Sequence, residues 1–288
     1  MKPLEGFADV GGFRLFYRQF GEPEKGEVVC LHGGPGVPHH YMLPIADLAE
    51  RGYRVTFYDQ LGVGRSERPP NRALFVMERY ADELEEFRTV MGLGKPHLIG
   101  SSCGGQLGIE YTLTYQKNVR TLTTVGGIHS FPLTIKGMLR WKEALPEDVK
   151  KTMRKYEAAG EYFNPEYLKA VDVFYRRHLC RLDPWPPEMT YAVEHTSEDV
   201  YHTMNGPNEY TVIGNIRYWD VTDKLNTIKV PTLVLSGTYD EVAPEVARDL
   251  HKHIPHSELT IFKGCSHTPF LEARTAFMKR VARFLAKH

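Results

Sequence analysis

Residues 98–105 read Leu-Ile-Gly-Ser-Ser-Cys-Gly-Gly and carry the pattern Gly-x-Ser-x-Gly, with Ser102 at its centre. A short apolar run, residues 97–99, leads into the pattern, and a helix-like segment, residues 106–115, follows it. This order is typical of a nucleophile elbow, a strained strand-to-helix turn that lifts one hydroxyl above the end of a sheet. Small residues are needed there because strand and helix pack closely. We therefore predict Ser102 as a nucleophile and regard an ordinary glycine–serine turn as the weaker alternative.

Strand-like apolar runs alternate with helix-like segments on both sides of the elbow. The strand-like runs lie at residues 7–10, 14–20, 27–31, 54–58, 121–125, 232–236 and 257–262. The helix-like segments lie at residues 41–51, 76–91, 242–253 and 268–287. This alternation favours a mostly parallel central sheet with helices on both faces. Together with the elbow, it predicts an α/β-hydrolase fold.

The alternation stops after residue 127 and resumes near residue 230. Residues 128–221 carry all three tryptophans, a charged helix-like segment at 147–159 and a proline-rich stretch at 183–187, but few β-branched runs. We interpret residues 128–221 as a mainly helical cap domain that lies over the sheet edge carrying the elbow. The catalytic core then consists of residues 1–127 and 222–288.

Composition excludes several classes of function. The 36 basic residues balance the 36 acidic ones, so no positive field is available to attract nucleic acid or an anionic membrane surface. We see no signal-peptide pattern after Met1 and no apolar run of about 20 residues, and we expect a soluble cytoplasmic protein. The four cysteines are scattered, which indicates neither a disulfide framework nor a zinc site. We expect no metal and no cofactor.

A serine hydroxyl needs a base within hydrogen-bond reach, and the base needs an orienting carboxylate. In the predicted fold these partners follow the serine in the order acid, then histidine. Asp240 follows the strand-like run at residues 232–236, and His267 follows the run at residues 257–262. Either residue alone could be an ordinary loop residue, but their order and positions predict the catalytic triad Ser102, Asp240 and His267.

An acyl-transfer site also needs donors for the oxyanion of the tetrahedral intermediate. One donor is the backbone N–H of Cys103, the residue after the nucleophile. The second is expected from the loop after an early strand, and we assign the N–H of Gly34 within His-Gly-Gly-Pro-Gly at residues 32–36. The thiol of Cys103 is expected to point away from the line of attack, so a cysteine nucleophile is disfavoured.

Five motifs resemble those of the proline iminopeptidases, α/β-hydrolase serine peptidases that remove N-terminal residues, proline above all. They are the loop at 32–36, Asp-Gln-x-Gly-x-Gly-Arg-Ser at 59–66, the elbow at 100–105, Gly-Thr-Tyr-Asp at 237–240 and Gly-Cys-Ser-His at 264–267. The resemblance extends over nearly the whole chain. Many α/β-hydrolases share these core motifs, which are therefore specific for the fold rather than for the substrate.

Two further segments resemble the branch of the family associated with the tricorn protease. They are Met-Asn-Gly-Pro-Asn-Glu-Tyr at residues 204–210 and the pair Asp240-Glu241. The resemblance implies that Glu209 and Glu241 clamp the α-amino group of the substrate, and that Tyr201 lines the site. A buried ammonium group needs such carboxylates because burial of an unpaired charge is costly.

The resemblance implies a serine aminopeptidase that releases N-terminal proline, and other small or apolar residues, through an acyl-enzyme. Its substrates would be short peptides with a free N-terminus, and an upstream peptidase is a candidate partner. Cys103 occupies a position where the family often has an aromatic residue, which leaves the strictness of the proline preference open. A carboxylesterase, lactonase or amino-acid amidase on the same scaffold is the alternative, and a neutral ester would not need the two glutamates. A non-catalytic binding protein is the least favoured reading, because the triad is intact.

Overall fold

The computed structural model describes residues 2–288. At their centre lies a sheet of eight strands. The strands are β1 (Leu4–Val10), β2 (Phe13–Phe20), β3 (Gly26–Leu31), β4 (Tyr53–Tyr58), β5 (His97–Ser101), β6 (Thr121–Val125), β7 (Thr232–Gly237) and β8 (Glu258–Phe262). Their order across the sheet is β1-β2-β4-β3-β5-β6-β7-β8. The pairs β1–β2 and β2–β4 are antiparallel, and the other five pairs are parallel. The prediction of a mostly parallel sheet is confirmed.

Ten α-helices accompany the sheet within residues 2–288. They are α1 (Met77–Val90), α2 (Cys103–Tyr115), α3 (Phe131–Glu143), α4 (Glu147–Ala159), α5 (Pro165–His178), α6 (Pro187–Glu194), α7 (Glu198–Met204), α8 (Pro244–His253), α9 (Pro269–Glu272) and α10 (Arg274–Leu285). Shorter 3-10 segments lie at Arg72–Leu74, Gln116–Asn118, Asn215–Tyr218 and Thr222–Thr227, and a longer one at His39–Arg51. No helix formed by residues 2–288 is long and apolar enough to cross a membrane.

Two hydrophobic cores lie on opposite faces of the sheet. Val29 and Leu98 pack into the core that includes residues of α1, α2 and α8, whereas their chain neighbours Val28 and Ile99 pack into the core beneath residues 39–51 and α10. Successive side chains of a strand point to opposite faces, so a strand covered on both sides must be apolar throughout. This explains why the inner strands read as continuous apolar runs.

Two predicted helices differ from those observed. Residues 41–51 form part of a 3-10 helix, His39–Arg51, that contains Pro44. Proline has no N–H to donate and disrupts regular α-helical bonding. The single helix expected at 268–287 is divided into α9 and α10 by Ala273, whose φ of −135° and ψ of 44° lie outside the helical region.

The segment between β6 and β7 is mainly helical and contains α3 to α7. Its two ends are joined at its base. Ser130 and Asp220 form an antiparallel bridge, the N–H of Phe131 donates to the Trp219 carbonyl at 2.9 Å, and the N–H of Val221 donates to the His129 carbonyl at 3.0 Å. The assignment of residues 128–221 as a separate cap domain stays a prediction.

Candidate active site

The turn at Ser102 has the backbone strain expected of a nucleophile elbow. Ser102 has φ 58° and ψ −125°, and residues other than glycine rarely adopt a positive φ. Its N–H donates to the Val125 carbonyl at 2.9 Å, and α2 begins at the next residue. A Cβ on Gly104 would lie 1.9 Å from the Leu31 carbonyl oxygen, and one on Gly100 would lie 2.2 Å from the Gly104 carbonyl oxygen. Only glycines therefore allow this contact between β3, β5 and α2.

Asp240 and His267, the predicted acid and base, are in direct contact. His267 Nδ1 lies 2.6 Å from Asp240 Oδ1, and both side chains are almost fully buried. Asp240 also accepts the N–H of Val242 at 3.0 Å and the Ser236 hydroxyl at 3.1 Å. These contacts direct the proton to Nδ1, so Nε2 is left as the nitrogen that can accept a proton from a nucleophile.

Ser102 and His267 line the same cavity, but no hydrogen bond joins them. His267 Nε2 has no hydrogen-bond partner within residues 2–288, and its nearest charged neighbour is Glu241 Oε1 at 3.6 Å. Hydrogen bonds of a catalytic base are often long or poorly aligned in a substrate-free enzyme. Burial by itself would lower the pKa of His267, but the carboxylates of Asp240 and Glu241 outweigh burial and raise this pKa to about 9.

The two residues predicted to supply oxyanion donors are Gly34, which lines the same cavity as Ser102, and Cys103, which follows Ser102 in the chain. Gly34 lines the cavity with φ 113°. The neighbouring N–H, that of Gly33, donates to the Tyr41 hydroxyl at 2.8 Å. Cys103 is the first residue of α2, and the first N–H groups of a helix have no acceptor within it. Burial raises the pKa of the Cys103 thiol well above its ordinary value, which is the opposite of what a thiolate nucleophile needs.

The cavity has a volume of about 180 Å³. It is lined by Gly34, Val37, Tyr41, Ser102, Tyr175, Leu179, Met189, Val193, Thr196, Tyr201, Glu209, Glu241, His267 and Thr268. The Tyr201 hydroxyl donates to Glu209 Oε1 at 2.7 Å. Burial raises the pKa of both glutamates, and the nearby Glu209 charge raises that of Glu241 further. Both predicted clamp residues and Tyr201 therefore meet Ser102 and His267 at one cavity.

Comparison with known proteins identifies the family. A model of the α/β-hydrolase fold matches residues 27–274. The proline iminopeptidase of Thermoplasma volcanium is 43% identical over 287 residues, which cover 99% of this chain and 97% of that protein. This chain belongs to the proline iminopeptidase family. The membership makes it an enzyme, a hydrolase of the prolyl aminopeptidase type, and confirms the resemblance that its motifs carry.

Two solved structures match nearly the whole chain. The crystal structure of a proline iminopeptidase from Mycobacterium smegmatis superposes with a TM-score of 0.92 at 33% identity, covering 99% of this chain and 98% of that one. The crystal structure of VinJ superposes with a TM-score of 0.96 at 35% identity, covering 99% of both chains. The α/β-hydrolase fold is confirmed, with the hairpin β1–β2 and the helical segment between β6 and β7 included in the match.

The sequence did not indicate which residues hold Asp240, Glu241 and His267 in position in this member of the proline iminopeptidase family. The His178 carbonyl, at the end of α5, accepts the N–H of Glu241 at 3.1 Å and that of His267 at 3.2 Å. Trp141 Nε1, on α3, donates to the Asp240 carbonyl at 2.8 Å, and its ring stacks on His178 at 4.6 Å. No local pattern marks these contacts, because each hydrogen bond joins residues at least 60 positions apart, and Trp141 and His178 are themselves 37 positions apart.

Residues 2–288 contain no group of three or more histidine, cysteine, aspartate or glutamate side chains placed to hold a metal ion.

Proposed function

We propose that this protein releases N-terminal proline, and other small or apolar residues, from short peptides through an acyl-enzyme on Ser102. One observation carries the proposal. The cavity that contains Ser102 and His267 is also lined by two carboxylates, Glu209 and Glu241, and by no lysine or arginine among residues 2–288. Such a cavity suits a substrate that brings one positive charge next to its scissile bond.

The reaction begins with attack of Ser102 Oγ on the carbonyl carbon of the first residue. His267 Nε2 takes the hydroxyl proton, and Asp240 holds the ring and stabilises the imidazolium that forms. The N–H groups of Gly34 and Cys103 stabilise the oxyanion. The imidazolium then gives its proton to the leaving amine, and water, activated by the same histidine, hydrolyses the acyl-enzyme. Each proton taken is returned, so the enzyme is regenerated.

Glu209 and Glu241 bind the α-ammonium group of the substrate. Their carboxylates provide the counter-charges that a desolvated ammonium needs. Because the amine is fixed on one side of Ser102, only the first peptide bond reaches the nucleophile. This geometry gives an exopeptidase that removes one residue at a time, whereas a neutral ester would gain nothing from the two carboxylates.

The side chain of the first residue occupies the apolar part of the cavity. Val37, Leu179, Met189 and Val193 line this part. A wall of aliphatic and thioether groups favours proline and residues of similar size through burial of apolar surface. It offers no polar partner that would be specific for the proline ring, which supports a preference rather than an absolute requirement.

Residues 128–221 act as the cap in this proposal. The segment supplies Glu209, Tyr201 and most of the apolar wall, and its ends are joined by the Ser130–Asp220 bridge. Because this bridge joins the two ends of the segment at one place on the core, the segment can pack as one unit over the ends of the strands.

One set of kinetic measurements tests the function. Proline, alanine and phenylalanine amides of a single chromogenic amine are compared with N-acetylproline amide of the same amine. We expect the highest kcat/KM for the proline amide, measurable hydrolysis of the alanine amide, and no hydrolysis of the acetylated control. Cleavage of the blocked substrate at the rate of the free one would rule out the aminopeptidase and favour the amidase or esterase alternative.

A further inference from the structure

The charges around His267 are unbalanced in the free enzyme. Three carboxylates surround it, those of Asp240, Glu241 and Glu209, and no lysine or arginine among residues 2–288 lines the cavity. Asp240 is satisfied by three hydrogen bonds. Glu241 is 1% exposed, and its Oε2 has no hydrogen-bond partner within residues 2–288. A buried carboxylate without a counter-charge is costly, so Glu241 must either take up a proton, which its raised pKa favours, or pair with a cation.

His267 is the group that can supply this cation. Its Nε2 has no hydrogen-bond partner among residues 2–288 and lies 3.6 Å from Glu241 Oε1. A proton on Nε2 converts this contact into a buried ion pair, with the second ring nitrogen already held by Asp240. The same nitrogen must be free of a proton to activate Ser102. The ion pair and the catalytic base are therefore mutually exclusive states of one nitrogen.

We propose that His267 is held inactive by an ion pair with Glu241 in the free enzyme, and that the α-ammonium group of the substrate replaces this proton as the counter-charge of Glu241. This inference rests on the proposed aminopeptidase function and adds a condition to it. The base is released only when a charged N-terminus is seated. Glu241 is in this role a positioning residue as well as a binding one.

The exchange balances in charge and protons. A cationic substrate enters, one proton leaves Nε2 for solvent, and the total charge of the cavity is unchanged. No co-reactant is needed. The cost of desolvating the substrate ammonium is offset by the ion pairs that it forms with Glu241 and Glu209. An N-blocked peptide or a neutral ester brings no cation, so it leaves His267 protonated.

The other groups around His267 favour the same state. The carboxylates of Asp240, Glu241 and Glu209 outweigh burial and hold the pKa of His267 at about 9. Burial keeps the remaining titratable neighbours neutral, since it lowers the pKa of His178 and raises that of the Cys103 thiol and the Tyr201 hydroxyl. No lysine or arginine among residues 2–288 lines the cavity to counter the three acids.

Labelling of Ser102 by methanesulfonyl fluoride tests the free enzyme without any peptide. This reagent is small and uncharged, and its reaction needs a neutral His267. We expect the labelling rate to rise about 50-fold between pH 7 and 9, as for a base with a pKa near 9. Methylammonium ions at saturating concentration should accelerate labelling at pH 7 by taking the place of the proton. A labelling profile centred near pH 6.5, or labelling slowed or unchanged by methylammonium, would overturn the proposal.

Two variants distinguish the contribution of Glu241 to the pKa of His267 from that of Glu209. In Glu241→Gln the labelling pKa should fall toward 6.5, and the effect of methylammonium should disappear. Glu209→Gln removes the same charge from a side chain for which no contact with Nε2 is seen, so its labelling pKa should fall less. A labelling pKa that stays near 9 in Glu241→Gln would contradict the ion pair. Labelling does not depend on aminopeptidase specificity, so this failure is distinct from hydrolysis of the N-acetyl control.

A pair of isosteric substrates tests the same proposal in the unmodified enzyme. The 4-nitrophenyl esters of proline and of cyclopentanecarboxylic acid differ in the ring nitrogen, which carries the charge. The pH dependence of kcat reports ionisation in the enzyme–substrate complex. We expect kcat for the proline ester to reach its plateau about two pH units below that for the cyclopentane ester. Coincident acid limbs of the two kcat profiles would overturn the proposal.

Discussion

The two sides of the cavity are built differently. On the core side, the residues follow β5, β7 and β8, and Asp240 alone accepts three hydrogen bonds, from His267, Val242 and Ser236. On the side of the proposed cap, called the cap side below, the Glu209 side chain has one hydrogen bond among residues 2–288, from Tyr201, and is partly exposed. The strand ends thus hold the groups proposed for bond breaking rigidly, while the helical segment carries a group proposed for recognition on a looser support.

This contrast predicts that substitutions on the two sides will change different kinetic constants. A group that acts only in the transition state changes kcat, whereas a group that binds substrate and transition state equally changes KM. Variants of Ser102, Asp240 and His267 should therefore lower kcat, and variants of Glu209 and Tyr201 should raise KM.

The largest effect is expected for Ser102→Ala. Removal of the nucleophile should lower kcat by a factor on the order of 10⁶, because the triad acts as a unit. The backbone hydrogen bond from residue 102 to Val125 does not involve the side chain, so the melting temperature should stay within a few degrees of that of the unmodified protein. Single-turnover kinetics and a thermal melt measure the two quantities. Turnover comparable to that of the parent enzyme would remove Ser102 from its proposed role.

Asp240→Asn should come next. The amide keeps the size of the side chain but offers a donor to His267 Nδ1, which favours the wrong tautomer, and kcat should fall by about 10⁴. KM for prolyl amides should change little, since the side chain of Asp240 is buried behind the histidine. A loss of kcat smaller than tenfold would contradict the proposed role of Asp240 as the acid that orients His267.

On the cap side, Glu209→Gln should raise KM for the proline 4-nitrophenyl ester by about 10- to 100-fold, the equivalent of one charge-assisted hydrogen bond of 1.5–3 kcal/mol. The cyclopentanecarboxylate ester is the matched control, and its KM should not change because it has no ammonium group. Equal effects on the two esters would show that Glu209 supports the cavity structurally and does not clamp an amine.

The smallest effect is expected for Tyr201→Phe. Burial raises the pKa of Glu209, and the hydrogen bond from Tyr201 opposes that rise. Without the hydroxyl the pKa of Glu209 should rise further, so the carboxylate should protonate at a higher pH as the solution is acidified. KM for prolyl substrates should increase a few-fold at neutral pH, and this increase should grow toward lower pH. Profiles of KM against pH for the two proteins check the sign; a constant ratio at all pH values would contradict it.

Much of the fold was predictable because its signals are local. The elbow could be read from residues 100–104, since a Cβ on Gly104 would collide with the Leu31 carbonyl and the motif tolerates no other residue there. The parallel sheet could be read from continuous apolar runs, because strands covered on both faces have no polar side. Element ends were less accurate: α2 begins at Cys103 and not at residue 106, and residues 39–51 form a 3-10 helix.

The candidate site was predictable residue by residue but not as an arrangement. Chain order and strand ends indicated Asp240 and His267, and these two side chains are in contact. The brace made by Trp141 and the His178 carbonyl had no sequence signal, since it depends on how α3 and α5 lie against the β7–α8 loop. The apolar wall residues Leu179, Met189 and Val193 were equally hidden, because an apolar side chain in a helical segment can face either a core or a cavity.

The sequence by itself determined which chemical groups reach the strand ends, because a strand followed by a glycine-rich turn specifies its own local path. Only the tertiary structure decided what those groups do to one another. Asp240 and Glu241 are neighbours in the chain, yet one contacts Nδ1 of His267 and the other lies 3.6 Å from Nε2. That difference comes from the path of the backbone between β7 and α8, held by the His178 carbonyl, and charge interactions in a buried site depend on distances of this size.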